Sequence, residues 1–244
     1  MASVLPSGMR RSSLWALCGL VLIACCGLGA CAGAGPKPER EGPLRVLILG
    51  DSISMAYTPV VRALFGEEAV VVRPTVGEGA KAVNCEGTTK GMEALGRWLQ
   101  VDGGGFDVIH YNFGLHDVKR VDPKTRETSN NPEHPQQAPL EVYYAQLLDI
   151  TEALEETGAT LVFATTTPVP EGRVRPYRKP QDVVRYNGMG VSLAMSRGIA
   201  VNDLYAFVLP RLGELQRPGN VHFLPAGTRA LAKEVVRAIR AAAE

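Results

Sequence analysis

Short, branched apolar runs alternate with longer amphipathic stretches from Leu44 to the C-terminus. The runs are LRVLILG (44–50), AVVVRPTV (69–76), FDVIHYNFG (106–114), ATLVFATTT (159–167) and GIAVND (198–203). Their near-continuous hydrophobicity predicts strands covered on both faces, as in a parallel sheet. Between them, apolar positions at helical spacing predict helices over 54–66, 88–100, 139–157, 182–197 and 226–243. In the last of these Leu231, Val235, Val236 and Ile239 share one face, and Pro225 suits a first helical turn. Strand and helix in alternation predict one α/β domain over residues 44–244, a three-layer α/β/α sandwich with a five-stranded parallel sheet. Ligands of such sheets sit in the crevice at the carboxyl ends of the strands. One stretch breaks the rhythm: residues 118–139 are polar, Pro-rich and aperiodic, which predicts a functional or disordered loop.

Residues 1–43 follow different rules. Arg10 and Arg11 precede an apolar run from Leu14 to Leu28, which ends in small residues and Cys31. A charged start, an apolar middle and a small-residue end make an export leader. The run is interrupted by glycines and cysteines and falls short of the roughly 20 apolar residues that a spanning helix needs. LGAC (28–31) resembles the lipobox of bacterial lipoproteins, and LIAC (22–25) fits the same pattern, so the lipidated residue is Cys31 or Cys25. Cys31 is preferred because a Gly/Pro-rich tether, residues 32–43, follows it. The expectation is a lipoprotein-type leader over 1–31 and an exported protein, lipid-anchored to a bacterial membrane and facing the periplasm or the exterior.

Four of the five cysteines lie in the leader, so Cys85 stands alone in the domain and forms neither an intramolecular disulfide nor a structural zinc site there. It is expected to be a small, buried or half-buried residue. The charge balance, 26 basic against 25 acidic residues, recommends no nucleic-acid partner. Oligomeric state leaves no mark on the sequence.

Two short segments carry candidate chemistry. Gly50-Asp51-Ser52 closes the first predicted strand, so Ser52 faces the crevice at a helix start where free backbone N–H groups favour negative charge. A nucleophilic serine needs such donors, although a serine there also serves as an ordinary helix cap. GNVHFLPAG (219–227) places His222 in a loop before the last helix, where a neutral imidazole can act as general base.

GDSIS near the start of the domain, with VHF and PAG before its last helix, resembles the SGNH (GDSL) hydrolases over residues 44–243. The resemblance implies a flavodoxin-like sheet and a serine ester hydrolase without cofactor or metal, with Ser52 as nucleophile and His222 as base. Gly87 best matches the glycine of the second motif, with Gly77 and Gly79 as rivals. The third motif, Gly-x-Asn-Asp, becomes GLHD (114–117), which puts His116 where the oxyanion-binding asparagine is expected. Asn84 and Asn112 are alternative donors. The aspartate three residues before the base is replaced by Gly219, followed by Asn220. Support for His222 is then expected from the Asn220 carbonyl, a backbone carbonyl, Asp117 or Asp203. TTTPVPEG (165–172) and YNGMG (186–190) resemble a bacterial subgroup of the same superfamily.

His110, inside an apolar run, is expected to be a core residue, and His134, in the polar stretch, a solvated one. Neither they nor His116 fall at a metal-ligand spacing. A phosphate-binding G-x-x-x-x-G-K-[ST] motif does not occur. The implied partner is a small-molecule or glycan ester, with a short acyl group, such as acetyl, on a carbohydrate or envelope glycan. A lysophospholipase or other lipid esterase and a degenerate glycan-binding domain are the alternatives.

Overall fold

Residues 42–77, 81–172 and 174–244 are described by a computed structural model of the chain. The segment read above as an export leader, with Cys25 and Cys31, residues 32–41 of the expected tether, and Gly79 lie outside the described residues.

In chain order the strands are β1 (Leu44–Leu49), β2 (Ala69–Val72), β3 (Thr75–Val76), β4 (Lys81–Ala82), β5 (Val108–Tyr111), β6 (Thr160–Ala164) and β7 (Ala200–Asn202). The helices are α1 (Ser52–Phe65), α2 (Thr88–Trp98), α3 (Leu140–Glu155), α4 (Pro180–Ser196), α5 (Leu204–Val208), α6 (Leu212–Leu215) and α7 (Pro225–Ala243). Five strands form the expected parallel sheet in the order β2-β1-β5-β6-β7. Helix α1 packs on α7, and α3 packs on both α2 and α4. The apolar runs are buried as their composition requires. Ile48, Leu49, Ile109 and Val162 are fully inaccessible, and each such side chain contributes about 1.5–3 kcal/mol by leaving water. On α7, Leu231, Val235, Val236 and Ile239 face inward as their spacing predicts.

The predicted second strand, 69–76, is broken. Arg73 turns its guanidinium inward, where it donates to the carbonyls of Gly50 and Val83 and the hydroxyls of Ser54 and Thr58. After Pro74 the chain leaves the sheet for a small antiparallel hairpin of β3 and β4. Arg73 is thus a buried strut between the β1–α1 turn and the segment before α2.

The polar stretch 118–139 contains no helix, yet it is knitted into place. Arg120 and Val121 form isolated bridges to Gln136 and Thr128. Backbone bonds run from Arg120 N–H to the Tyr177 carbonyl, from Gln137 N–H to Lys119 and from Ala138 N–H to Asp117. Arg120 and Asp182, both buried, form an ion pair at 3.0 Å that ties this stretch to α4. Gln136 donates to the same carboxylate.

In the order of the five parallel strands along the chain the sheet runs 2-1-3-4-5, so its direction of growth reverses between β1 and β5. A crevice opens at such a switch point, beyond the strands' carboxyl ends. The turn after β1 leads directly into Ser52, the first residue of α1, and the loop after β5 carries GLHD.

Candidate active site

Asp51, not Ser52, caps α1: its carboxylate accepts from Ile53 N–H at 2.9 Å. Ser52 is the first helical residue, so its own N–H has no intrahelical acceptor and its hydroxyl is left for another partner. That partner is His222, 170 residues away in sequence, whose Nε2 lies 2.9 Å from Ser52 Oγ. The loop carrying His222 is pinned from several sides. Arg217 N–H donates to the His222 carbonyl, Leu224 N–H donates to Leu215, and the Gln216 amide donates to the carbonyls of Pro168 and Val221.

The other ring nitrogen settles the tautomer. Asn220 Oδ1 lies 2.8 Å from His222 Nδ1 and 2.9 Å from the His222 backbone N–H. A backbone N–H can only donate, so the atom facing it is the amide oxygen. An oxygen in turn requires the proton on Nδ1. Nε2 is left with a lone pair aimed at the serine hydroxyl, the form a general base needs. Of the candidates for supporting His222, the structure selects the Asn220 carbonyl. Gly219 holds a left-handed φ of 61°, which favours glycine over the expected aspartate.

Asp117 and Asp203 do not support the base. Asp117 is buried beneath α2 and accepts from both the backbone N–H (2.8 Å) and the hydroxyl (2.6 Å) of Thr88. Burial pushes its carboxyl above the ordinary range, opposed by those two bonds. Asp203 caps α5 and accepts from Ala206 N–H and the Thr165 hydroxyl. Both carboxylates answer to helix starts, which residue spacing alone does not reveal.

Among the oxyanion candidates, Gly87 caps α2, and a Cβ there would meet the Asp117 carboxylate at 2.7 Å. Only glycine lets the backbone come so close. Cys85 N–H donates to the Gly50 carbonyl at 3.2 Å and moors this segment to the Ser52 turn. Gly77, by contrast, sits in the β3–β4 turn with open space around its α-carbon. Asn112 gives its amide hydrogens to the Ala164 carbonyl (2.7 Å) and the Thr166 hydroxyl (3.5 Å), clamping the ends of β5 and β6. Asn84 accepts from Glu86 N–H and shapes the turn before Gly87. His116 is mostly buried, and its Nδ1 lies 3.2 Å from Lys119 Nζ. Burial, helped by the nearby charges of Lys119 and Arg178, lowers its pKa to about 3, so the ring is neutral at neutral pH. Lys119 and Arg178 are site neighbours that no motif marked.

The remaining sequence signals are structural. Asn187 of YNGMG pairs with both the N–H and the carbonyl of Thr166 in TTTPVPEG, joining the two motifs. His110 is buried in β5 against Asn202 at 3.1 Å, as a core histidine. His134 is half-buried, 4.0 Å from Asp122. Cys85 is fully buried, which raises its thiol pKa to about 11. Among the described residues no group of three or more His, Cys, Asp or Glu could hold a metal ion. A groove of about 540 Å³ opens beside His222, walled by Ile53, Val60, Phe223 and Leu231, with the exposed Arg217 and Arg229 along it.

No family model matches the sequence, and no curated protein matches it. Solved structures do. An acetyl xylan esterase shares 15% identity at a TM-score of 0.62, covering 80% of this chain and 100% of its own. A protein from Slackia heliotrinireducens, assigned to the SGNH hydrolases, shares 17% at 0.56 and covers 81% and 100%. An acetylxylan esterase from Geobacillus stearothermophilus shares 16% at 0.61 and covers 82% and 96%; its catalytic mutants replace a serine in one and a histidine in the other. Strand order, layering and these likenesses agree that the chain has the fold of the SGNH hydrolases.

Proposed function

We propose that the chain is an exported serine ester hydrolase that removes a short acyl group from a carbohydrate or envelope glycan. One observation carries the reading: a serine hydroxyl, an imidazole and an amide oxygen aligned in series, at 2.9 and 2.8 Å, over the crevice of the sheet. Ser52 Oγ attacks the acyl carbonyl as its proton passes to His222 Nε2. The negative oxygen that forms is held by the N–H groups of Ser52 and Gly87 and by His116. Collapse expels the alcohol, which takes the proton from His222. Water, activated by the same imidazole, then releases the acid from Ser52.

The groove beside His222 combines an apolar wall that an acyl group can contact with Arg217 and Arg229, which offer donors to a polar alcohol. The knitted 118–139 stretch presents no apolar flap of the kind a lipid esterase would close over its substrate, and the acetyl esters named for two neighbours fit the same reading. Export and lipid anchoring rest on the leader, and replacing Cys31 by alanine is expected to move the protein from the membrane to the soluble fraction. A second reading, a glycan-binding domain that has lost catalysis, draws on the neutral Asn220 where a carboxylate is usual. The test is labelling by a fluorophosphonate and turnover of 4-nitrophenyl acetate. Wild type is expected to do both and Ser52→Ala neither; equal behaviour of the two proteins removes the hydrolase reading.

A further inference from the structure

The departure at His116 comes with a second feature. Lys119, three residues further on at the end of the turn after β5 and 8% exposed, points its ammonium at His116 Nδ1. An ammonium has three hydrogens to give and nothing to accept with, so Nδ1 must be the acceptor. A neutral imidazole has one proton, and it therefore sits on Nε2. Burial lowers the pKa of Lys119 from its ordinary value, with Arg178 acting in the same direction and Glu86 and Asp117 opposing it. Arg178 is itself buried; it donates through Nε to the Leu115 carbonyl at 2.8 Å and braces the peptide that leads into His116.

There is also a competitor. Glu86 Oε2 lies 3.9 Å from the same Nδ1. Without the ammonium, this carboxylate would draw the proton onto Nδ1 and leave Nε2 with a lone pair. A lone pair facing a developing oxyanion repels it, whereas an N–H stabilises it. The ammonium keeps the acceptor role on Nδ1 and thereby excludes Glu86.

We propose that Lys119 is a positioning residue: by donating to His116 Nδ1 it holds the ring as the Nε2–H tautomer, which serves as the side-chain oxyanion donor where an asparagine amide is expected. This rests on the esterase reading above. Asparagine needs no such help, because its amide nitrogen always carries hydrogens. Lys119 thus matters only while residue 116 is histidine.

The experiment is a double-mutant cycle on the purified full chain with 4-nitrophenyl acetate, joined to ¹⁵N spectra of the imidazoles. Lys119→Met is expected to lower kcat about a hundredfold with KM little changed, the scale of one lost oxyanion donor. Lys119→Gln, which retains an N–H donor, is expected to recover most of that loss. In a His116→Asn background, whatever the rate of that single variant, Lys119→Met is expected to cost less than about threefold. Equal losses in the two backgrounds would mean that Lys119 is merely structural, and the proposal falls. The spectra are expected to show His116 protonated on Nε2 in wild type; a proton on Nδ1 overturns the proposal even where a variant fails to fold. The esterase reading fails separately: if Ser52→Ala hydrolyses the ester as fast as wild type, the kinetic cycle loses its meaning and the tautomer spectra alone decide.

Discussion

At His222 a single backbone N–H decides the chemistry, because it fixes which end of the Asn220 amide faces the ring and hence which ring nitrogen carries the proton. Asparagine supplies the orientation of a triad acid without its charge. Asn220→Asp should keep both bonds and add a negative charge that favours the imidazolium. The expected outcome is a kcat about tenfold higher, with the acid limb of the kcat/KM profile displaced to higher pH because the base now binds its proton more tightly. Asn220→Ala removes the tautomer lock and is expected to cost on the order of a hundredfold or more. A pH–rate series on the three proteins checks both statements, and an Asn220→Asp protein slower than wild type would contradict the first. Ser52 and His222 were legible in the sequence because each stands in a short motif tied to one end of the domain. Asn220 stood as one option among several. What excluded Asp117 and Asp203 is their bonding to helix starts, and that depends on which segments meet in space.

Elements follow their apolar pattern where burial is simple and depart from it where a polar group is taken inside. All five long strands were legible as runs of branched residues, yet 69–76 ends early because the Arg73 guanidinium finds four oxygen acceptors inward of β2. The short α5 and α6 escaped notice since so few residues display no period. The 118–139 stretch looked like loose loop because its order comes from bonds to distant segments. The ion pair of Arg120 with Asp182 is the strongest of those ties on chemical grounds, since both groups are shielded from water. Asp182→Ala would strand a buried guanidinium and is expected to lower stability by about 3–5 kcal/mol. Urea unfolding measures this, and a change under 1 kcal/mol would show that the pair is dispensable, roughly what an exposed ion pair contributes.

Over the whole molecule, alternation of strand and helix announced the layers, whereas the 2-1-3-4-5 order depends on which side of the sheet each helix crosses, and no local pattern records that. Global stability carries a pH signature from the interior. Burial lowers the pKa of His110 to about 4, from an ordinary value near 6.5. Below about pH 6.5 the unfolded chain takes up a proton that the folded chain refuses, so this contribution is complete above that pH and lost as the pH falls toward about 4. The loss amounts to about 3 kcal/mol. His110→Gln cannot titrate, so the stability gap between wild type and variant is expected to narrow between pH 7 and pH 4.5; a constant gap in urea midpoints would refute this. Cys85 has a practical consequence at the same scale. In a protein begun at residue 42 it is the one sulfhydryl, and a thiol reagent reaches it only when the segment before α2 peels away from the Gly50 carbonyl. Its modification rate is therefore a built-in clock for how often the candidate cleft comes apart, and an occupant bridging Ser52 and Gly87 would slow that clock.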